Sequence, residues 1–137
     1  MMTAVDSSIL LDVFGADPKY GPRSREALRK ALAEGALMAC SIVWAEVSAA
    51  FETATGAAEA MSRLGVTFSA MAVDDALRAG QVWREYRRRG GARSRIIADF
   101  LIGAHAQARA DRLLTRDRSF FRSCFRQLRV VDPSATE

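Results

Sequence analysis

Short apolar runs alternate with stretches of helical periodicity along the whole chain, and this alternation sets the tightest limit on the fold. The strand-like runs lie at 3–6, 36–40, 66–68, 112–115 and 128–131; the helical stretches lie at 9–14, 22–33, 41–51, 57–64, 74–86 and 95–110, with a short one around 120–121. Strands separated by helices favour a parallel sheet, because a parallel pair needs a long crossover connection. The pattern predicts an α/β three-layer sandwich, with a central, mostly parallel sheet flanked by helices.

Small polar residues and glycines predict where the helices begin and end. Gly35 stands where one helix stops, and Ser41 and Ser94 are placed as N-caps of two later helices. Gly56 either interrupts or ends the helix that Ser41 begins. The predicted buried stripes are Val43, Val47, Ala50 and Phe51 in the first of these helices and Ile97, Leu101, Ala104 and Ala108 in the second.

The length of 137 residues fits a single domain, which we expect to span 1–137. With 50% hydrophobic residues and 3 prolines, the composition excludes a disordered or collagen-like chain. No apolar run approaches the roughly 20 residues that cross a bilayer. Asp6 and Asp12 stand where a secretory signal would carry basic residues. We therefore expect a cytoplasmic protein with no membrane partner.

Charge is distributed unevenly along the chain. Residues 1–83 have a net charge of −3, whereas residues 84–137 have a net charge of +7, and arginine supplies all 13 of their basic side chains. The planar guanidinium group pairs well with phosphate, so this asymmetry favours a polyanionic partner such as RNA, or an acidic protein segment. On charge alone, the alternative is a solvated basic surface.

Two aspartates lie at or just beyond the ends of predicted strands. Asp6 stands where the first strand ends, and Asp117 follows by two residues the strand that ends at Thr115. Because parallel strands end at the same edge of a sheet, both carboxylates should project from that edge and form a site there. The alternative for each aspartate is to cap the helix that comes after it.

Two further carboxylates, Glu46 and Asp99, lie in apolar surroundings within predicted helices, at positions that helix capping does not explain. Asp99 is the one charged residue between Arg95 and Arg109. The alternative is a polar residue that faces water, but a carboxylate near an apolar core needs an arginine, a raised pKa or a cation. If all four carboxylates converge, their mutual repulsion favours a cation.

Oxygen atoms are the donors that this cluster offers to a cation. Cys40, Cys124 and His105 are too few to form a zinc site, whereas carboxylates select Mg²⁺ or Mn²⁺. Such an ion lowers the pKa of a bound water and suits hydrolysis of phosphodiester bonds. The hydroxyls of Ser8 and Thr115 are candidates to support the site, the alternative being bonds to local backbone in turns.

Several other kinds of active site are excluded by the residues present. The chain has no G-x-x-x-x-G-K-[ST] phosphate loop and no G-x-S-x-G turn, and its single histidine leaves little for a Ser-His-Asp triad. A phosphoaspartyl receiver needs a lysine at the end of a late strand, but the lysines are Lys19 and Lys30. We expect His105 to be a packing or surface residue, because it does not align with Asp99 on the helix.

Four blocks of residues resemble a known family, the PIN-domain ribonucleases, and within it the VapC-like toxins of type II toxin–antitoxin systems. The blocks are VDSS at 5–8, SIVWAEV at 41–47, IADFLIGAHA at 97–106 and LTRDRSF at 114–120. One block alone is weak, but all four occur in order at the right spacing and span nearly the whole chain. The resemblance implies the PIN-like form of the predicted sandwich.

The resemblance also implies roles for particular residues. The family's acidic positions, which bind metal and act in catalysis, are matched by Asp6, Glu46, Asp99 and Asp117. Its hydroxyl positions are matched by Ser8 and Thr115. The arginine groups next to these blocks are candidate contacts to RNA phosphates, or else solvent-exposed charge: Arg87, Arg88, Arg89, Arg93 and Arg95.

The function implied by the resemblance is that of an endoribonuclease toxin that depends on Mg²⁺ or Mn²⁺. Such a protein is usually a homodimer and is kept inactive by a cognate antitoxin, whose C-terminal segment lies across the active-site groove. Family members cleave different RNAs, including tRNA and ribosomal RNA, so the target stays open.

Two other functions stay open beside the toxin. One is an RNA- or ribosome-binding protein that acts by occupancy and has a vestigial acidic cluster, although retention of all four carboxylates counts against it. The other is a PIN nuclease of RNA maturation or DNA processing. The small size and the lack of an extra domain favour the toxin.

Overall fold

The structure is a computed structural model, and it describes residues 1–134. Strands and helices follow one another in the predicted order. The strands are β1 (Met2–Val5), β2 (Ala36–Cys40), β3 (Val66–Ser69), β4 (Arg112–Leu114) and β5 (Val130–Val131). The helices are α1 (Ser7–Phe14), α2 (Gly21–Glu34), α3 (Ser41–Ser48), α4 (Ala54–Leu64), α5 (Val73–Arg88), α6 (Ile97–Arg109) and α7 (Arg118–Cys124).

The five strands form one parallel sheet in the order β3-β2-β1-β4-β5. From β1 the chain moves outward to β2 and β3, and then returns to the other side of β1 for β4 and β5. Right-handed crossovers therefore place the helices that precede β3 and those that follow it on opposite faces of the sheet. The prediction of an α/β sandwich with a central parallel sheet is confirmed.

The reversal of strand order beside β1 determines where a site can form. In open parallel sheets, ligands bind beyond the carboxyl ends of the strands at the point where the order reverses. Here that point is the crevice between β1 and β4, whose register pairs Val5 with Leu114. The residues that directly follow these two strands therefore meet at the crevice.

An aromatic cluster joins the helices on the β4 side of the molecule. Phe100 of α6 contacts three rings, with centroid separations of 6.0 Å to Trp83, 5.5 Å to Tyr86 and 5.2 Å to Phe120. Pairs at these separations add to the stabilisation that apolar burial already supplies. The cluster holds α5, α6 and α7 in fixed relation beside the crevice.

Two predictions about α3 and α4 are wrong. Ser41 is the first helical residue of α3 rather than its N-cap, a position taken by Cys40 without a side-chain bond. Gly56 does not interrupt or end α3, which stops at Ser48; it lies in the first turn of α4, where its N–H donates to the N-cap Thr53 at 3.0 Å. Because α3 is short, Ala50 falls outside it and is exposed.

The start of α6 also differs from its prediction. The helix begins at Ile97, and Ser94 is not its N-cap, because residues 89–95 form a turn that folds back onto Tyr86. Ile97 and Ala108 of the predicted stripe are exposed. The buried residues of α6 are instead Phe100, Ile102, Gly103, Ala104, His105 and Ala106.

Two expectations about the whole chain extend beyond what the structure describes. The single domain was predicted over 1–137, and residues 135–137 lie outside the described residues. Within residues 1–134, the helices all fall short of the length and apolar character that crossing a bilayer would require.

Gly103 is packed so tightly that its replacement tests the α6 interface. A Cβ added there would lie 2.2 Å from Cε2 of Phe125, well inside contact distance. We expect Gly103→Ala to lower the free energy of unfolding by about 1–3 kcal/mol, because overpacking outweighs the higher helix propensity of alanine. Urea unfolding measures this change.

Gly80 in α5 provides the matched control, because a Cβ there meets nothing within 4 Å. Gly80→Ala should raise the free energy of unfolding by about 0.5–1 kcal/mol through helix propensity alone. Equal stabilisation in the two variants would contradict the packing described for α6.

Candidate active site

Asp6 lies at the end of β1 and is almost fully buried, with 7% of its surface exposed. Its N–H donates to the carbonyl of Leu114 at 3.0 Å, which extends the pairing of β1 with β4. Its carboxylate accepts from the Ser7 N–H at 2.8 Å and from Oγ1 of Thr115 at 2.7 Å. Asp6 therefore has both of the roles considered from the sequence: it caps α1, and it lies at the crevice beyond the sheet edge.

Thr115 connects the two aspartates that follow β1 and β4. Its buried hydroxyl donates to Asp6 and accepts from the N–H of Asp117 at 3.0 Å. The hydroxyl thus bonds local backbone, as the alternative proposed, and also supports a carboxylate of the cluster. Ser8 is a weaker participant, with its Oγ 3.5 Å from Oδ2 of Asp6.

Asp99 lies in the first turn of α6, and 29% of its side chain is exposed. Its carboxylate accepts from the N–H of Ile96 at 3.3 Å, at the position where a side chain satisfies the free donors of a helix start. The expectation that capping does not explain Asp99 is therefore wrong. The error follows from the late start of α6, which turns an interior position into a terminal one.

Glu46 is exposed on α3, so the expectation of apolar surroundings is wrong for its carboxylate. Partial burial nevertheless raises its pKa, and the negative charges of Asp6 and Asp99 raise it further, while the nearby Ser7 hydroxyl lowers it. Glu46 thus lies within electrostatic reach of both aspartates. The sequence analysis did not include Ser7 among the residues that support the site. Its position directly after Asp6 could have indicated that role.

The carboxylates also affect one another at Asp6. Burial raises the pKa of Asp6, the bonds from Thr115 and Ser7 oppose the rise, and the negative charges of Asp117 and Asp99 add to it. Together with the effects on Glu46, this means that each of the four predicted carboxylates lies within electrostatic reach of at least one other. They form a concentrated region of negative charge beyond the carboxyl ends of β1 and β4.

Arg95 supplies positive charge within this region. Its guanidinium makes two bonds to the Asp117 carboxylate, one from Nη1 to Oδ2 and one from Nη2 to Oδ1 at 3.1 Å. It also lies 3.9 Å from Oδ2 of Asp99 and 4.1 Å from the ring centroid of Phe120. The bond to Asp117 raises the pKa of Arg95. An arginine, the first of the three remedies expected from the sequence, therefore balances part of the charge.

The donor set fits a hard divalent cation in its chemistry, because it consists of carboxylate and hydroxyl oxygens. Among residues 1–134, no three His, Cys, Asp or Glu side chains are grouped closely enough to hold an ion by themselves. Mg²⁺ does not need such a cage, since it usually keeps several waters and binds one or two carboxylates. An ion of this kind would compete with Arg95 for Asp117.

A second buried acidic residue, Asp12, was not singled out by the sequence pattern. Its carboxylate accepts from Arg116, with Nε at 2.7 Å from Oδ2 and Nη2 at 3.0 Å from Oδ1, and from Oγ of Ser24 at 2.9 Å. The Arg116 guanidinium lies 4.0 Å from the ring centroid of Tyr20. Alternate residues of the 115–117 segment therefore serve different purposes: Arg116 pairs with Asp12, while its two neighbours join the carboxylate cluster.

The remaining candidates divide between surface and core. His105 is buried and hydrogen-bonds the Ser69 hydroxyl at 2.8 Å, and burial lowers its pKa, so the expectation of a packing residue is confirmed. Arg88 and Arg93 are exposed. Arg87 lies over the ring of Trp83.

The family model described as PIN domain matches residues 3–125. The chain belongs to the PIN domain family. The resemblance predicted from the four sequence blocks is thereby confirmed, and the carboxylate cluster lies at the carboxyl edge of a PIN-type sheet. No curated protein sequence matches the chain.

Solved structures resemble this fold at low sequence identity. VapBC-1 from nontypeable Haemophilus influenzae has a TM-score of 0.73 at 17% identity, covering 98% of this chain and 100% of that one. VapBC2 from Rickettsia felis, bound to a DNA fragment from its promoter, has a TM-score of 0.71 at 17% identity, covering 96% and 98%. VapC20 from Mycobacterium tuberculosis, a sarcin-ricin loop cleaving toxin, has a TM-score of 0.52 at 18% identity, covering 81% and 86%. At these identities the likeness shows the fold.

The two bonds of the Thr115 hydroxyl generate a prediction about stability. We expect Thr115→Val to lower the free energy of unfolding by about 1–3 kcal/mol, because it deprives the Asp117 N–H and the buried Asp6 carboxylate of a partner. Thr115→Ser keeps the hydroxyl and should lose less. Urea unfolding compares the variants, and a valine variant as stable as the serine variant would show that the hydroxyl is not needed.

Proposed function

We propose that this protein is a metal-dependent endoribonuclease that hydrolyses RNA phosphodiester bonds as the toxin of a toxin–antitoxin pair. The convergence of Asp6, Glu46, Asp99 and Asp117 at the β1/β4 crevice of a PIN fold carries the proposal. The toxin and toxin–antitoxin proteins among the structural neighbours support it, including one that cleaves the sarcin-ricin loop.

We propose that the ligands of Mg²⁺ or Mn²⁺ come from Asp6, Glu46, Asp99 and Asp117, with Ser8 and Thr115 in support. When bound, such an ion lowers the pKa of a water and stabilises charge on the leaving oxygen. Thr115 and the Ser7 N–H keep the Asp6 carboxylate oriented. Glu46 is the exposed member of the four, so its carboxylate is open to water and can accept a proton from the attacking water.

The proposed partners are RNA, a cognate antitoxin and a second copy of the chain in a homodimer, and this role would place the protein in the cytoplasm. Two of the neighbours described above are VapBC structures, which supports the antitoxin. The arginine-rich second half of the chain supports RNA, because its positive charge offsets the repulsion between a phosphate backbone and the acidic crevice.

Cleavage of total RNA tests the proposed activity. We expect the purified, antitoxin-free protein to cleave with Mg²⁺ or Mn²⁺ and to stop when a chelator is added. Asp99→Asn should reduce the cleavage rate by about 100-fold or more, which corresponds to about 3 kcal/mol of lost transition-state stabilisation. Fragment mapping then identifies the target.

Circular dichroism of Asp99→Asn shows whether the variant is folded, and Asp111→Asn is the matched control because Asp111 bonds the backbone N–H of Met2 outside the cluster. The control should cleave at the wild-type rate. The contradicting result is that wild type and Asp99→Asn are both folded and both bind RNA, yet neither cleaves an RNA known to contain the target. That result would contradict the proposed nuclease function and favour action by occupancy.

The position of Arg95 generates a prediction about metal affinity. Arg95→Gln removes the cation that Asp117 and Asp99 now share, so divalent ions should bind these carboxylates more tightly, by about tenfold or 1.4 kcal/mol. Mn²⁺ titration followed by electron paramagnetic resonance measures this affinity without any substrate.

Thermal unfolding gives an independent measurement on the same variant. Without metal, Arg95→Gln should melt below the wild type, and Mn²⁺ should raise its melting temperature more than that of the wild type. Arg88→Gln removes the same charge from an exposed position on α5 and serves as the control. Equal Mn²⁺ affinity in all three proteins would show that no ion binds where Arg95 lies.

A further inference from the structure

A cavity of about 620 Å³ opens between the C-terminal end of α5 and the turn that leads into α6. Its volume falls within the range of about 300–1,000 Å³ that is usual for pockets that bind small ligands. Among the described residues that line it, three are arginines and the others are uncharged. These residues, which we call the arginine cavity, are Trp83, Arg87, Gly90, Gly91, Ala92, Arg93 and Arg95.

The wall of the arginine cavity is held in place by Tyr86. The N–H of Gly91 donates to the Tyr86 carbonyl and that of Ala92 to the Tyr86 hydroxyl, both at 2.9 Å. A Cβ at Gly91 would lie 2.3 Å from the Tyr86 ring, and Gly90 has a φ of 81° in the left-handed region. The turn therefore depends on glycine, and its small residues leave the space beside Trp83 open.

Trp83 and Arg87 form one side of the arginine cavity, and they lie against each other. The Arg87 guanidinium lies 4.5 Å from the ring centroid of Trp83, and that ring stacks on Phe100 at an interplanar angle of 28°. Unstacked RNA bases bind to proteins by stacking on aromatic rings and on guanidinium planes. Phe100 directly follows Asp99, so the ring contact with Trp83 joins this side of the cavity to the helix that carries Asp99.

Arg95 belongs both to the arginine cavity and to the carboxylate cluster. Its guanidinium has five N–H donors, and two of them bind Asp117. The remaining donors can bind a phosphate oxygen without breaking the existing pair. In an RNA strand that enters the arginine cavity, the phosphate nearest the carboxylates would therefore be neutralised by Arg95.

The structure places four of the five arginines that the sequence proposed as RNA contacts in two different cavities. Arg87, Arg93 and Arg95 line the arginine cavity. Arg89 instead contacts Oγ of Ser123 and Sγ of Cys124, at 3.3 and 3.2 Å, and lines a different cavity. The two groups should therefore respond differently to substitution.

We propose that the arginine cavity binds one nucleotide of single-stranded RNA next to the bond that is cleaved, which rests on the ribonuclease function proposed above. The base stacks on the Arg87 guanidinium, which itself lies over the Trp83 ring. The flanking phosphates bind Arg93 and Arg95. An acidic peptide would match the charge of the cavity but not its stacking surface, so the geometry favours RNA.

Binding of a short fluorescein-labelled single-stranded RNA to the full chain tests the proposal. The measurement uses fluorescence anisotropy with a chelator present, so that binding is separated from metal-dependent cleavage. Arg87→Gln and Arg93→Gln should each raise Kd by at least about fivefold. Arg78→Gln, the matched control, removes the same charge from an exposed position on α5 that lines the other cavity, and should raise Kd by less than about twofold.

The fluorescence of Trp83 reports occupancy of the arginine cavity directly. The chain has two tryptophans, and Trp44→Phe leaves Trp83 as the only one. Within residues 1–134, the buried Nε1 of Trp44 has no hydrogen-bond partner, so this replacement costs no bond. RNA should quench the remaining emission at the concentrations that saturate the anisotropy, because a base stacks beside the indole.

Equal RNA affinity in Arg87→Gln, Arg93→Gln and Arg78→Gln, with no quenching of Trp83, would overturn the subsite even if the wild type cleaves RNA with metal. Quenching by a polyglutamate peptide and not by RNA would also overturn it. Selective loss of affinity together with quenching supports it. If the protein binds in this way but Asp99→Asn and wild type are equally inert, the cavity is an RNA site and the nuclease function fails.

Discussion

Repulsion among four carboxylates gathered at one edge of a parallel sheet is the constraint that the rest of the structure must satisfy. Asp6 has little access to water, and its pKa is raised by burial and by its acidic neighbours. The Thr115 hydroxyl and the Ser7 N–H give its carboxylate two donors. Arg95 forms a salt bridge with Asp117 and lies near the carboxylate of Asp99. Each of these bonds lowers the cost of holding like charges together.

The fold meets this constraint through its topology and its aromatic packing. Strand order reverses beside β1, so the ends of β1 and β4 meet at a crevice. Phe100 and Phe120 hold α6 and α7 together, and they do so beside Asp99 and Asp117. This packing keeps Asp99 and Asp117 close without requiring the two carboxylates to bind one another.

The basic part of the chain is used in three different ways. Arg116 pairs with the buried Asp12, which stabilises the fold away from the crevice. Arg95 balances charge inside the crevice. Arg87 and Arg93 line the cavity beside it, where positive charge is available to a polyanion. The net charge of the second half of the chain therefore says little by itself, because only some of its arginines are available to a ligand.

The sequence by itself determined the order of strands and helices, the parallel sheet, the membership of the PIN family and the placement of Asp6 and Asp117 after neighbouring strands. These features follow from local periodicity and from short blocks of adjacent residues. Only the tertiary structure decided that α6 begins at Ile97, that Glu46 is exposed and that Arg95 binds Asp117. The Arg95–Asp117 pair joins residues 22 positions apart, and the exposure of Glu46 depends on how α3 packs. The turn before α6 depends on the bonds from Gly91 and Ala92 to Tyr86, which helical periodicity does not register.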